Sequence, residues 1–116
     1  MATYKSIPVD TLSEAEWQSW IVDLATWLGW RVFHPRPAQI AGRWATHLLG
    51  SAGFPDLTMV HQRRGFLIVE VKSNTGRVTP GQRAWLADLE EAGVECYVWR
   101  PKDYREVEAR LKEVQR

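Results

Sequence analysis

Two short stretches carry the residue types that can do chemistry. The first is Gly53-Phe54-Pro55-Asp56, which leads into Leu57-Thr58-Met59-Val60. The second is the apolar run Phe66-Leu67-Ile68-Val69, which ends in Glu70-Val71-Lys72. Strand residues two apart share a face, so Glu70 and Lys72 emerge side by side at the end of a strand that is otherwise buried. Charged groups in such a place are costly unless they are paired. The intervening His61-Gln62-Arg63-Arg64-Gly65 reads as a hairpin loop. If Val60 faces Phe66, antiparallel counting sets Asp56 opposite Glu70, with Cβ atoms roughly 5 Å apart. Two carboxylates that close repel each other unless a cation lies between them. The spacing therefore predicts a divalent-metal site at Asp56 and Glu70, with Lys72 beside it. Hard cations such as Mg²⁺ or Mn²⁺ want oxygen ligands of this kind.

The charge pattern points the same way. Between Arg31 and Arg83 the only acids are Asp56 and Glu70, against Arg31, Arg36, Arg43, Arg63, Arg64, Lys72, Arg77 and Arg83. A net charge of +1 over the whole chain is uninformative about nucleic acid. Its segregation is informative: a cationic middle around two isolated carboxylates suits a polyanion brought to a metal. Arg36, Arg43, Trp44 and His47 can reach DNA from a long loop; Trp44 reads first as packing against the domain and, alternatively, as stacking on an unpaired base. Arg63 and Arg64 read as a solvated hairpin tip able to grip backbone phosphate, and Arg77 and Arg83 as further phosphate contacts. His34, His47 and His61 are too scattered for a zinc site. Cys96 is the single cysteine, so an internal disulfide is excluded, and it reads as core.

These residues need a small scaffold, and 116 residues, 45% of them hydrophobic and seven of them Trp, fit one domain spanning 1–116. Trp17, Trp20, Ile21, Leu24, Ala25 and Leu28 recur at helical spacing, with Gly29 as a stop. Ser13-x-x-Glu16 and Thr11-x-x-Glu14 both read as capping boxes at its start. Arg31 to His34 reads as a short strand closed by Pro35, followed by a long loop over 37–53. Strands over 56–60 and 66–72 come next. Thr79-Pro80-Gly81-Gln82 is a helix start, with Trp85, Leu86, Leu89 and Ala92 as the face to be buried. A strand over 94–99 and an amphipathic helix through Tyr104, Val107, Leu111 and Val114 complete the order α-β-β-β-α-β-α. That order predicts an α/β fold, one mixed four-stranded sheet flanked by helices. Residues 1–8 have neither a signal-peptide core nor a membrane span, which makes the cytoplasm the simplest compartment.

Gly53-Phe54-Pro55-Asp56, Glu70-Val71-Lys72 and this element order resemble the PD-(D/E)xK nuclease superfamily, and imply its restriction-endonuclease-like core. More narrowly, the chain resembles small stand-alone VRR-NUC domains of the phage type. Lys72-Ser73-x-x-Gly76-Arg77-Val78-Thr79-Pro80-x-Gln82, Trp85-Leu86-x-x-Leu89 and Gly93-Val94-x-x-Tyr97-Val98-Trp99-Arg100-Pro101 carry that likeness, which covers roughly residues 13–104. The resemblance implies Mg²⁺ or Mn²⁺ held by Asp56, Glu70 and the carbonyl of Val71. Lys72 would orient the attacking water or offset developing negative charge. A helix glutamate would complete the metal's ligands: Glu14, from the pattern Ser13-Glu14-Ala15-Glu16-Trp17-Gln18, or alternatively Glu16. Gln18, one turn after Glu14, can hold a bound water, and Gln82 stands either near Lys72 or in a capping box with Thr79.

The expected activity is metal-dependent hydrolysis of phosphodiester bonds in branched or otherwise structured DNA, largely independent of sequence. The resemblance further implies a homodimer that resolves four-way (Holliday) junctions in DNA repair and recombination. Flap, nick or general nuclease activity, RNA cleavage, and a DNA-binding module without catalysis remain open on the residues alone.

Overall fold

The computed structural model describes residues 7–35, 38–40, 43–45 and 50–115, with the backbone alone for 38–40 and 43–45. The first helix, α1 (Glu14–Trp27), is capped by Ser13, whose hydroxyl accepts from the Glu16 N–H at 3.1 Å while the Glu16 carboxylate accepts from the Ser13 N–H at 3.0 Å. Its Trp17, Ile21, Leu24 and Ala25 are buried at helical spacing. The strands β1 (Arg31–Phe33), β4 (Leu57–His61), β5 (Gly65–Val71) and β6 (Cys96–Trp99) form one sheet in the order β1-β4-β5-β6. The β1–β4 and β4–β5 pairs are antiparallel, and β5–β6 is parallel. The helix α2 (Pro80–Glu91) makes the crossover to β6, and α3 (Tyr104–Lys112) follows a 3₁₀ turn at Pro101–Asp103. The chain thus has the expected α/β fold with a mixed four-stranded sheet.

One difference lies in the segment expected to be loop. Strands β2 (Ala38–Ile40) and β3 (Arg43–Ala45) pair with each other in a separate two-stranded ladder. In sequence they are separated by two residues, the second a glycine, which is hairpin spacing; the surrounding glycines and prolines mask it.

The two sheet faces differ. Leu57, Met59, Leu67, Val69 and Val71 have no exposure and meet the buried residues of α1 and α3 in one core. That core is pinned by two indole donors, Trp17 Nε1 to the Trp99 carbonyl and Trp30 Nε1 to the Leu111 carbonyl, each at 2.9 Å. The opposite face carries Thr58, Val60, Phe66, Ile68 and Glu70, with α2 beside β6. The expected buried face of α2 is corrected here. None of its residues is fully buried, and Ala92 is exposed. Cys96 is likewise half-buried; its thiol lies 3.6 Å from the Leu86 carbonyl, and burial pushes its pKa up. No described helix is long and apolar enough to cross a membrane.

Candidate active site

The β4–β5 ladder pairs Val60 with Phe66 and Leu57 with Val69. One step further, that register sets Asp56 opposite Glu70, as the counting predicts. A loop that grips α2 brings Asp56 to this point. Gly53 has φ +99°, and a Cβ there would lie 2.6 Å from the Gly81 carbonyl carbon. Only a glycine lets the two backbones approach so closely. Phe54 then packs edge-on against Trp85 with ring centroids 5.0 Å apart, and Trp85 Nε1 donates to the Ser51 carbonyl at 3.2 Å. Pro55 is buried, and Asp56 enters the sheet with its Oδ2 accepting the Val71 N–H at 2.8 Å.

Glu70 is only 2% exposed, and its Oε1 has no hydrogen-bond partner among the described residues. Its Oε2 stands 3.5 Å from Lys72 Nζ, itself largely buried. Burial, then the charge of Asp56 and a hydrogen bond to it, push the Glu70 carboxyl up to about 8; Lys72 acts in the opposite direction. A buried carboxylate with an unpartnered oxygen, next to a second carboxylate, has the chemistry of a site for a hard divalent cation. The Asp56 and Glu70 carboxylates, with the Val71 carbonyl, fit that role.

The other expected site residues fall into groups. Glu14 is exposed at the start of α1, and no three His, Cys, Asp or Glu among the described residues form a group able to hold a metal, so Glu14 stands apart from the Asp56–Glu70 pair. Glu16 is engaged in its capping box, which holds its carboxyl below the usual range through the Ser13 N–H and hydroxyl. Gln82 is also in a capping box: its side-chain carbonyl accepts from the Thr79 N–H at 2.9 Å. Gln18 donates to His34 at 3.0 Å. Arg77 and Arg83 are exposed and line a cleft of about 760 Å³ together with Arg100. The turn at Gly76 in that cleft lies against the stem of Lys72, where a Cβ on Gly76 would be 3.5 Å from Lys72 Cδ.

Arg63 and Arg64 require a correction. They sit at the tip of the β4–β5 hairpin, beyond the far end of the ladder from the carboxylates, about 20 Å away along the strands. Arg63 is exposed, but Arg64 is not the solvated residue expected: its guanidinium donates to the Lys112 carbonyl at the end of α3, and its own carbonyl accepts from Arg110 at 2.9 Å. Arg36 and His47 lie outside the described residues, as do the side chains of Arg43 and Trp44. His34, given no firm role by its sequence context, does reach the site: its Nδ1 donates to the Asp56 carbonyl at 2.9 Å. Its place at the end of β1, just before Pro35, was the available signal.

With this geometry in place, the chain can be set beside known proteins. It matches the VRR-NUC domain over residues 4–103. The chain belongs to the VRR-NUC family. A solved structure described as a VRR_NUC domain protein is similar to it, 22% identical with a TM-score of 0.46, covering 77% of this chain and 78% of that one. None of the curated proteins compared with the chain matches it. Membership in VRR-NUC gives the chain a nuclease-type function.

Proposed function

We propose that this VRR-NUC chain is a Mg²⁺- or Mn²⁺-dependent endonuclease for branched DNA, working as a homodimer on four-way junctions. The observation that carries the metal reading is the buried Glu70 Oε1, unpartnered beside Asp56. Asp56, Glu70 and the Val71 carbonyl would hold the ion. When bound, it supplies water activation and charge relief on the phosphoryl oxygens and leaving alkoxide. Lys72, held next to Glu70, orients the attacking water or offsets negative charge that develops during attack. Exposed Arg77 and Arg83, with Arg100 in the same cleft, support entry of a phosphate backbone beside Lys72. Phosphate contacts position a substrate without reading its bases, which favours selection by shape. Phe33, Val60 and Phe66, exposed at 64%, 46% and 45% on one sheet face, supply apolar surface for a second copy.

The test compares a fixed four-way junction, flap, duplex and single strand of related sequence, with light scattering for oligomeric state. A dimer that cuts the junction well above linear duplex, with rates falling steeply as salt rises, is the expected result. A strict monomer that cuts duplex as fast as junction would refute the junction reading and leave the nuclease assignment standing.

The helix glutamates can be separated in the same assay. Glu16→Ala should lower thermal stability through lost capping, on the order of 1 kcal/mol, and leave turnover intact. Glu14→Gln tests the family pattern, which assigns Glu14 to the metal and so gives lost turnover with stability unchanged, although Glu14 stands apart from Asp56 and Glu70 among the described residues. Full turnover in Glu14→Gln removes α1 from the reaction's ligand set.

A further inference from the structure

The backbone ladder between β1 and β4 ends at Phe33↔Thr58. Beyond it, the Asp56 carbonyl is met by a side chain: His34 Nδ1 donates to it at 2.9 Å. A carbonyl can only accept, so Nδ1 carries the proton. His34 Nε2 is then free to accept from the Gln18 amide, which lies 3.0 Å away. Both ring nitrogens are thereby engaged, and His34 is half-buried between α1 and the start of β4. Asp56 is gripped at two ends. Its carboxylate is fixed to β5 through the Val71 N–H at 2.8 Å, and its carbonyl to β1 and α1 through His34 and Gln18.

We propose that His34, oriented by Gln18, is a positioning residue that sets the Asp56 carboxylate for the ion and the substrate phosphate. This rests on the reading of Asp56 as a metal ligand. Asp56 follows the Gly53-Phe54-Pro55 loop and precedes the first ladder residue of β4, and the β1–β4 ladder ends at Thr58, so that ladder supplies no main-chain partner for the Asp56 carbonyl. His34 supplies one. Groups that orient a metal's ligands in this way typically carry a 10- to 100-fold effect on metal affinity or activity. The role also accounts for Gln18 through a protein contact instead of a bound water.

The two amide isosteres of histidine test it. Asparagine places its Nδ2 near the histidine Nδ1 and can keep the donor to the Asp56 carbonyl. Glutamine places its amide near the histidine Nε2 and loses that donor. His34→Asn, His34→Gln, His34→Ala and Gln18→Ala are compared with wild type in the full chain. Mn²⁺ affinity is read by electron paramagnetic resonance, and melting in EDTA serves as the structural control. Imidazole ¹⁵N shifts of the ion-free wild type report the tautomer. The expected result is Nδ1–H in the free protein, Mn²⁺ affinity lowered about tenfold or more in His34→Ala and His34→Gln, and affinity within about threefold of wild type in His34→Asn. Wild-type Mn²⁺ affinity in His34→Ala, or equal losses in the Asn and Gln variants, overturns the positioning role alone. A wild-type chain that binds no Mn²⁺ overturns the metal reading of Asp56 and this proposal with it.

Discussion

Changing Glu70 to glutamine is expected to abolish cleavage and, with divalent ions removed, to make the protein more stable above pH 8. The Glu70 carboxyl titrates near 4.5 when unfolded and is raised to about 8 in the fold, first by burial and then by Asp56. Between these values the folded state binds more protons than the unfolded one, so stability falls as pH rises through the window. Below about pH 4.5 the penalty is absent; above about pH 8 it is complete, on the order of 2–4 kcal/mol. Glutamine stays neutral and can still hydrogen-bond Asp56, so its stability should be flat across that range. Lys72→Ala should also abolish cleavage but shift stability the other way at high pH, because it removes the cation 3.5 Å from Glu70. Urea unfolding in EDTA at pH 6 and 9, together with Mg²⁺-dependent cleavage, reads both effects. Wild-type stability that does not change between these pH values would refute the buried-carboxylate account, and an active Glu70→Gln protein would move the reaction elsewhere.

Gly53→Ala carries the second large effect, on stability and turnover together. The added Cβ would meet three backbone atoms, the Gly81 carbon at 2.6 Å and the Gly81 oxygen and Gln82 nitrogen at 2.8 Å. None can swing aside as a side chain would. The positive φ adds strain of its own, so the total loss should be on the order of 2–4 kcal/mol. Asp56 lies three residues on, so the displaced loop should also lower cleavage by orders of magnitude in whatever fraction stays folded. Gly50→Ala provides the control. Gly50 has the same φ of +99°, but an added methyl there would meet no atom of the described residues within 4 Å, so it should lose only about 1 kcal/mol. Equal losses at the two positions would mean that backbone strain alone matters and that the contact with α2 is unimportant.

The core of this site was legible because a hairpin is local and has a two-residue period. Once Val60 faces Phe66, nothing else decides that Asp56 meets Glu70. The capping boxes at Ser13 and Thr79 were legible for the same reason, as their partners lie three residues apart. The burial of α2 was not. Trp85, Leu86 and Leu89 make the same amphipathic stripe whether a helix packs fully on a sheet or partly against a loop. Arg64 was misread because an arginine can cover a distant helix end as readily as it can stay in water, and α3 is nearly fifty residues further along the chain. His34 shows the limit again: its importance depends on a carbonyl 22 residues away, a contact that no spacing rule reveals.

The way α2 is attached gives the cleft two walls of unequal compliance. One wall is the end of β6, with Val98 and Arg100, paired to β5, whose Val69 and Val71 have no exposure at all. The other is α2, which lacks a fully buried residue and is moored through the Gly53–Gly81 contact and the Phe54–Trp85 pair. A bulky substrate that must widen the cleft will therefore displace α2, with Arg83, more readily than the sheet that carries Glu70. Fit is accommodated on one side while Glu70 and Lys72 are kept in place on the other, and the Gly53–Gly81 contact passes any movement of α2 on towards Asp56.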